Sequence, residues 1–175
     1  SFIGKLNSAK WYDLFGKAII QILDKYPTWR ARVIGDEPRE KLTFNHERLK
    51  ISGYTKHEKV LSLLENVSIS VVCSRWEEPF GRTSMEAGSR GCATIISNRG
   101  GITETNLNSI ILKRLTTDEI YKNLKYLIKN PLKTKKIQKQ SFFNVVHELK
   151  ENSLILDKIR DQAFNKFNFN VNKKK

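Results

Sequence analysis

Two glutamates, Glu78 and Glu86, bracket a turn that reads as the start of a helix. Pro79, Phe80 and Gly81 follow the first of them, and Arg82, Thr83 and Ser84 then fall in the first helical turn. The leading N–H groups of a helix have no carbonyl within it to bond. Aligned peptide dipoles add about half a positive charge at that end. Such a turn takes anions, phosphate above all, and Gly81 lets a ligand come close to the backbone. Two carboxylates beside a phosphate-sized site cannot both bind the phosphate. They can accept from hydroxyls on either side of it, such as the ribose and the hexose of a nucleotide sugar. A plainer reading stays open: Glu86 is a solvated helix acid and Glu78 a loop carboxylate, and spacing alone favours it, because acids near helix starts are common.

The elements around this turn alternate. Phe2 to Leu6 is a short strand running into a loop, and Trp11 to Tyr26 is a helix stopped by Pro27. Strands follow at Arg30–Ile34 and Arg48–Ser52, then a helix at Lys56–Glu65. Ser68–Cys73 is an almost continuous apolar run, as a strand covered on both faces must be. Arg82–Arg90 is a helix, Ala93–Ser97 a second buried strand and Ser109–Leu112 a short one. Asp118–Lys129 is a helix, and after Pro131 the pattern is helical with a break to about Gln162. Residues 166–175 read as a polar, basic, frayed tail. Strands alternating with helices predict an α/β fold with a Rossmann-like, doubly wound parallel sheet. Ligands of such sheets sit beyond the carboxyl ends of the strands. That singles out the loops Gly4–Lys10, Gly53–Lys56, Ser74–Thr83 and Ser97–Gly101.

Length and composition agree with one domain of ordinary size: 175 residues, 39% of them hydrophobic, with three Trp, five Tyr and nine Phe. Cys73 and Cys92 both lie in apolar runs and read as buried thiols of a reducing compartment. No stretch is apolar and long enough to span a membrane, and the first residues lack the features of a signal peptide. The net charge of +14 is unevenly spread. Residues 122–175 hold fourteen basic and four acidic side chains, against eighteen and fourteen in residues 1–121. A basic end on a nearly balanced body argues for nucleic acid much less than uniform basicity would.

Five segments in chain order carry a resemblance. EPFGRTSMEA, Glu78–Ala87, is similar to the E-x7-E signature of family 4 glycosyltransferases, retaining enzymes of the GT-B fold. GKLNSAKW, Gly4–Trp11, resembles that family's "GRL…K" loop, and IGDEP, Ile34–Pro38, its "VGDGPE" segment. SGY, Ser52–Tyr54, is similar to its "LGY" strand end, and GCATIISNRGGITE, Gly91–Glu104, to its "GxPVIAS…GGxPE" stretch. The likeness covers about residues 2–130 and weakens in the closing helices.

The resemblance implies a single domain corresponding to the C-terminal, donor-binding half of a GT-B enzyme. Residues 1–130 are then the nucleotide-sugar-binding domain, and residues 131–165 closing helices that pack toward a missing N-terminal half. It implies roles residue by residue. Glu78 contacts donor-sugar hydroxyls. Gly4, Phe80 and Gly81 lie beside the sugar and diphosphate. Arg82, Thr83 and Ser84 offer amides to phosphate, and Glu86 accepts from the ribose. Lys5 and Lys10 neutralise the departing diphosphate, and Tyr54 borders the base. Lys5, Lys10 and Glu78 form the catalytic set, with no metal and no cofactor besides the nucleoside-diphosphate sugar, which is the donor substrate. Such fixed cations and amides stabilise a leaving diphosphate without a metal. The family usually has Arg where Lys5 stands, and Lys lacks the bidentate fork. Thr103 replaces its usual Pro, and Asn106-Leu107-Asn108 stand where another Gly is common.

The expected function is donor binding for transfer of a sugar to a glycan or lipid-linked acceptor, by a fragment inactive alone, on the cytoplasmic side and peripheral at the inner face of the membrane. The acceptor site belongs to the missing half. If the closing helices normally pack on that half, Phe142, Phe143, Val146 and Leu149 stand partly exposed. Apart from that argument, Met85 and the aromatic positions 142 and 143 read as core or helix packing. The competing reading is a non-catalytic basic module, in which the lysines at 129, 133, 135, 136 and 139 hold anionic membrane. Nucleic acid is the weaker partner, since no nucleic-acid motif or aromatic interleaving is present. His46, His57 and His147 are too scattered for a metal triad, although His57 follows the loop near Tyr54. Neither G-x-x-x-x-G-K-[ST] nor G-x-S-x-G occurs.

Overall fold

The computed structural model describes residues 1–40 and 42–172, with side chains as far as residue 166 outside position 41. Among them run strands β1 (Phe2–Ile3), β2 (Ala31–Ile34), β3 (Leu49–Ile51), β4 (Ile69–Val72), β5 (Ala93–Ser97) and β6 (Ile110–Leu112). The α-helices are α1 (Tyr12–Lys25), α2 (His57–Leu64), α3 (Arg82–Ser89), α4 (Thr117–Lys129) and α5 (Pro131–Asn172). Short 3₁₀ turns occupy Ser8–Lys10 and Gly100–Thr103.

The strands form one sheet in the order β3-β2-β1-β4-β5-β6, and every neighbouring pair is parallel. This is the expected Rossmann-like α/β arrangement. Strand order reverses between β1 and β4, so the loops after these two strands flank a crevice where the fold accepts ligands.

The pleat decides what each face buries. Phe2 and Val33 join a core with Phe15, Ile22, Val71, Ile95, Leu124 and Leu127, under α1 and α4. Their neighbours Ile3 and Ile34 turn the other way, to Val60, Leu64 and Ala87 of α2 and α3. Helix α1 has the pattern this requires: Phe15, Ala18, Ile19, Ile22 and Leu23 are all buried. It ends before Pro27, whose ring excludes further helix. Truncating Leu23 to Ala would cost about 2–5 kcal/mol, the usual range for a buried leucine. Helix α4 is capped by Thr116, whose side chain accepts from the Glu119 N–H (3.2 Å). Cys73 and Cys92 are buried free thiols, pushed up by burial to about 12 and about 11.

Helix α5 differs from expectation. The predicted break after Pro131 is absent, because no Pro or Gly follows that residue before Asn172 to interrupt the hydrogen-bond ladder. Thr134, Ile137, Ser141 and Val145 recur on one face and are buried. The Thr134 hydroxyl donates to Leu127 O (2.7 Å), and the Gln138 amide to Ser68 O (3.0 Å). From Val146 to Lys166 every residue is exposed. Positions 142 and 143 do not join the core: Phe142 is 51% and Phe143 67% exposed, with Val146 and Leu149 exposed after them, although Phe143 stacks on His147 one turn along the helix (5.8 Å). The tail expected to fray from residue 166 continues as α5 backbone to Asn172, and residues 173–175 lie outside the described residues.

Candidate functional site

The loop after β1 carries both candidate lysines, and the loop after β2 holds it in place. The Gly4 N–H donates to Ile34 O (3.0 Å), so the two strands end side by side. Asn7 Oδ1 accepts from the Lys10 N–H (3.0 Å) and closes the 3₁₀ turn. Asn7 Nδ2 donates to Glu37 Oε2 (3.1 Å), while Glu40 accepts from the Ser8 N–H (2.8 Å) and hydroxyl (3.2 Å). The Arg39 guanidinium beside Glu37, with its Nε at 2.8 Å, lowers that carboxyl to about 2. Arg39 thereby favours the charged form of Glu37, whose carboxylate braces the loop.

Trp11, directly after Lys10, has φ 61°, a left-handed conformation that costs a bulky residue about 1–3 kcal/mol. Its ring carries the Arg75 guanidinium at 4.7 Å. Arg75 also donates its backbone N–H to Ala9 O (2.9 Å) and its side chain to Asp13 Oδ2 (3.3 Å). The loop after β4 is thereby stitched to the loop after β1.

At this junction Lys10 Nζ donates to Glu78 Oε1 in a half-buried ion pair. Partial burial alone would raise the Glu78 pKa. Hydrogen bonds from Lys10 and Ser74 outweigh it and leave the pKa lowered. A cation and an anion that lie 68 positions apart in sequence meet at the sheet's reversal point.

Two glycines shape the turn that follows. Gly81 precedes α3 with φ 73°, and a Cβ there would lie 2.8 Å from Ile102 Cα. Gly100 has φ 53°, and a Cβ there would clash with Glu78 O. The Gly101 N–H donates to Glu78 O (2.7 Å). The loop after β5 therefore supports the segment from Glu78 to Gly81 from below.

In α3, Ser84 departs from the sequence expectation. Its N–H donates to Gly81 O (3.0 Å), so the amides left for a ligand in this turn are those of Arg82 and Thr83. The Ser84 hydroxyl is buried without a hydrogen-bond partner among the described residues. Glu86 lies 3.3 Å from Arg82 Nη2 and 3.8 Å from His57 Nδ1, at the start of α2. Its side chain is only 14% exposed, so it is not the solvated acid of the plainer reading.

The structure brings Lys10 together with Glu78, and Glu86 with Arg82. Lys5, Tyr54 and Phe80 are exposed, and none makes an ion pair or side-chain hydrogen bond among the described residues. Gly4, Gly81 and Thr83 contribute backbone at the same carboxyl edge. Sequence reasoning missed Glu37 and Glu40 as braces, and the Trp11–Arg75–Asp13 set. The IGDEP segment marked the right loop, but nothing in its spacing showed which carboxylate reaches Asn7.

An open parallel sheet with unbonded amides at a helix start and paired charges at its reversal point defines a Rossmann-like domain of the kind found as the C-terminal half of GT-B glycosyltransferases. Residues 1–142 match the model of the glycosyl transferases group 1 family, and the chain belongs to that family. Among solved structures, it is similar to the C-terminal domain of LpcC, a group 1 family protein from Francisella tularensis. The TM-score is 0.73 at 24% identity, covering 84% of this chain and 83% of that one. HepE of Anabaena, solved with UDP-glucose, gives 0.73 at 18% identity over 91% of this chain and 48% of that one. Sucrose-phosphate synthase from Thermosynechococcus elongatus gives 0.74 at 17% identity over 93% and 45%. The chain thus spans about half the length of the latter two. No curated protein matches it.

Proposed function

We propose that this domain binds the donor of a retaining, metal-independent glycosyltransferase, a nucleoside-diphosphate sugar, and transfers nothing without a second half that holds the acceptor. The observation that carries this reading is the Lys10–Glu78 pair set against the start of α3. Glu86 toward the β3 side suits the ribose, and the Arg82 and Thr83 amides suit phosphate. Lys10 and Lys5 suit the leaving diphosphate, and Glu78 suits the sugar hydroxyls. When the sugar–phosphate bond breaks, the bonding pair stays on the diphosphate, and the lysines and amides stabilise that charge. The acceptor oxygen forms the new bond to the same sugar carbon, and its proton passes to the diphosphate oxygen that kept the bonding pair. HepE, whose solved complexes contain UDP, UDP-glucose, and UDP with glucose, supports the ligand class. Calorimetric titration with UDP, GDP and ADP tests it, and heat from at least one of them is expected.

A second reading has its own observation. Between Glu119 and Glu148 the chain carries seven lysines and no acid, and of these only Lys122 has an ion-pair partner among the described residues. Tyr126 and Leu132 are exposed among them. This suits a peripheral contact with anionic lipid at about 1 kcal/mol per lysine near the surface. Among the described residues no helix is long and apolar enough to cross a membrane. Co-sedimentation with phosphatidylglycerol vesicles tests the contact, and binding lost in high salt is expected.

A further inference from the structure

The carboxyl edge of the sheet does not end at Glu78. Following strand order, it passes Tyr54 and His57 after β3, Glu37 after β2, the lysine loop after β1 and Glu78 after β4. It then reaches Arg99 after β5 and Lys113 with Arg114 after β6. Here a cavity of about 400 Å³ opens, lined by Trp11, Asn98, Arg99, Lys113 and Arg114 on a floor of Leu112 and Leu115. Among the described residues no carboxylate lines it. Arg99 pairs with Glu77 at 3.0 Å, one residue before Glu78. Lys113 and Arg114 are exposed and make no ion pair or side-chain hydrogen bond among the described residues. Trp11 joins the two places: it follows Lys10 directly and is among the residues that line the cavity.

We propose that this cavity binds the anionic group, phosphate or carboxylate, of a saccharide acceptor whose sugar the second half holds. The role as acceptor rests on the donor reading above; the anion site stands on its own residues. The Arg114 guanidinium and Lys113 ammonium, unpaired among the described residues, with Arg99 held beside them by Glu77, suit a planar or tetrahedral oxyanion, because a guanidinium fork donates two parallel hydrogen bonds to either. The site's place follows from the order of the edge. With ribose toward β3, the transferred sugar lies toward Glu78, and the loops that come next in strand order, after β5 and β6, are those that line this cavity. An acceptor anchored there would present its hydroxyl to the sugar from the β5–β6 side. The fold also suits the arrangement. The left-handed Trp11 turn sets Lys10 in the donor crevice while Trp11 itself lines the cavity.

Backbone amide resonances of the full chain, held in saturating UDP to block the diphosphate crevice, test the proposal. Glucose 6-phosphate, glucuronate and glucose are titrated in turn. Shifts at Asn98, Arg99, Lys113 and Arg114 with a charged sugar, but not with glucose, are expected. A response to glucose 6-phosphate alone assigns phosphate, and one to glucuronate alone assigns carboxylate. In the exposed double variant Lys113→Gln, Arg114→Gln, the charged-sugar affinity is expected to fall about tenfold more than the UDP affinity, the scale of a lost charged hydrogen bond. Equal shifts with glucose, no shift with either charged sugar, or parallel loss of both affinities overturns the proposal. A chain that binds the charged sugars at these residues but not UDP would contradict the donor reading and leave the anion site in place.

Discussion

At the β1–β4 crossover the surface side chains hold one another: Lys10 with Glu78, Asn7 with Glu37, Ser8 with Glu40, Arg75 with Asp13. Along α5 beyond Val145 the sheet holds none of them, and Leu149, Leu154, Ile155, Leu156, Ile159 and Phe164 stand exposed. Leu149, Leu156 and Ile159 continue the face on which Val145 is buried, so the stripe extends past the body that covers its first part. The difference separates two kinds of information. The crevice is complete within the body of the domain, whereas the outer half of α5 carries an apolar stripe with no counterpart among the described residues.

That contrast is broken most severely at Gly81. Gly81→Ala adds a Cβ against Ile102 in a left-handed turn, and a loss on the order of 2–4 kcal/mol is expected from conformational and packing cost together. A urea unfolding midpoint equal to the parent's would show that the turn is not fixed as described. Next comes Lys10→Ala, expected to weaken UDP or GDP binding by about ten- to a hundredfold, the range for hydrogen bonds to charged groups. Glu86→Ala is expected to cost about tenfold in the same titration. Unchanged affinity would return Glu86 to a helix acid held by Arg82.

The Lys10–Glu78 pair also predicts a pH dependence. The folded pKa of Glu78 lies below its ordinary value, so the pair's contribution is complete above the ordinary carboxylate range. It drains away as pH falls through the folded value. The gap in unfolding midpoint between the parent and Lys10→Met is therefore expected to narrow from neutral pH toward about pH 3. A gap constant with pH would mean the pair contributes nothing. The smallest effect belongs to the arm. Removing residues 150–175 is expected to change the stability of the body by no more than about 0.5 kcal/mol, as for surface changes elsewhere. Unfolding of the truncated chain would show that α5 is integral to the body.

Much of the body was legible in sequence because burial on both faces leaves a continuous apolar run. Ile69–Val72 and Ala93–Ser97 are such runs, and the α1 stripe repeats at helical spacing. The Gly81 turn was legible too, since Pro79, Gly81 and two bracketing acids are local signals. What spacing could not supply were meetings across the chain, such as Lys10 with Glu78 or Trp11 with Arg75, because position in sequence sets no distance between separate loops. The continuity of α5 was missed for the opposite reason. Its pattern loses clean amphipathicity once the body no longer covers it, and a blurred pattern reads as a break although no Pro or Gly makes one.

The central claim is that the β1–β4 crossover is a nucleoside-diphosphate site built around Lys10. Isothermal titration of the chain with UDP, GDP and ADP, repeated on Lys10→Ala, addresses it directly. Heat of binding with at least one nucleotide, lost or strongly weakened in the variant, is the predicted result. No heat with any of the three at millimolar ligand, or equal affinity in the variant, would contradict the claim.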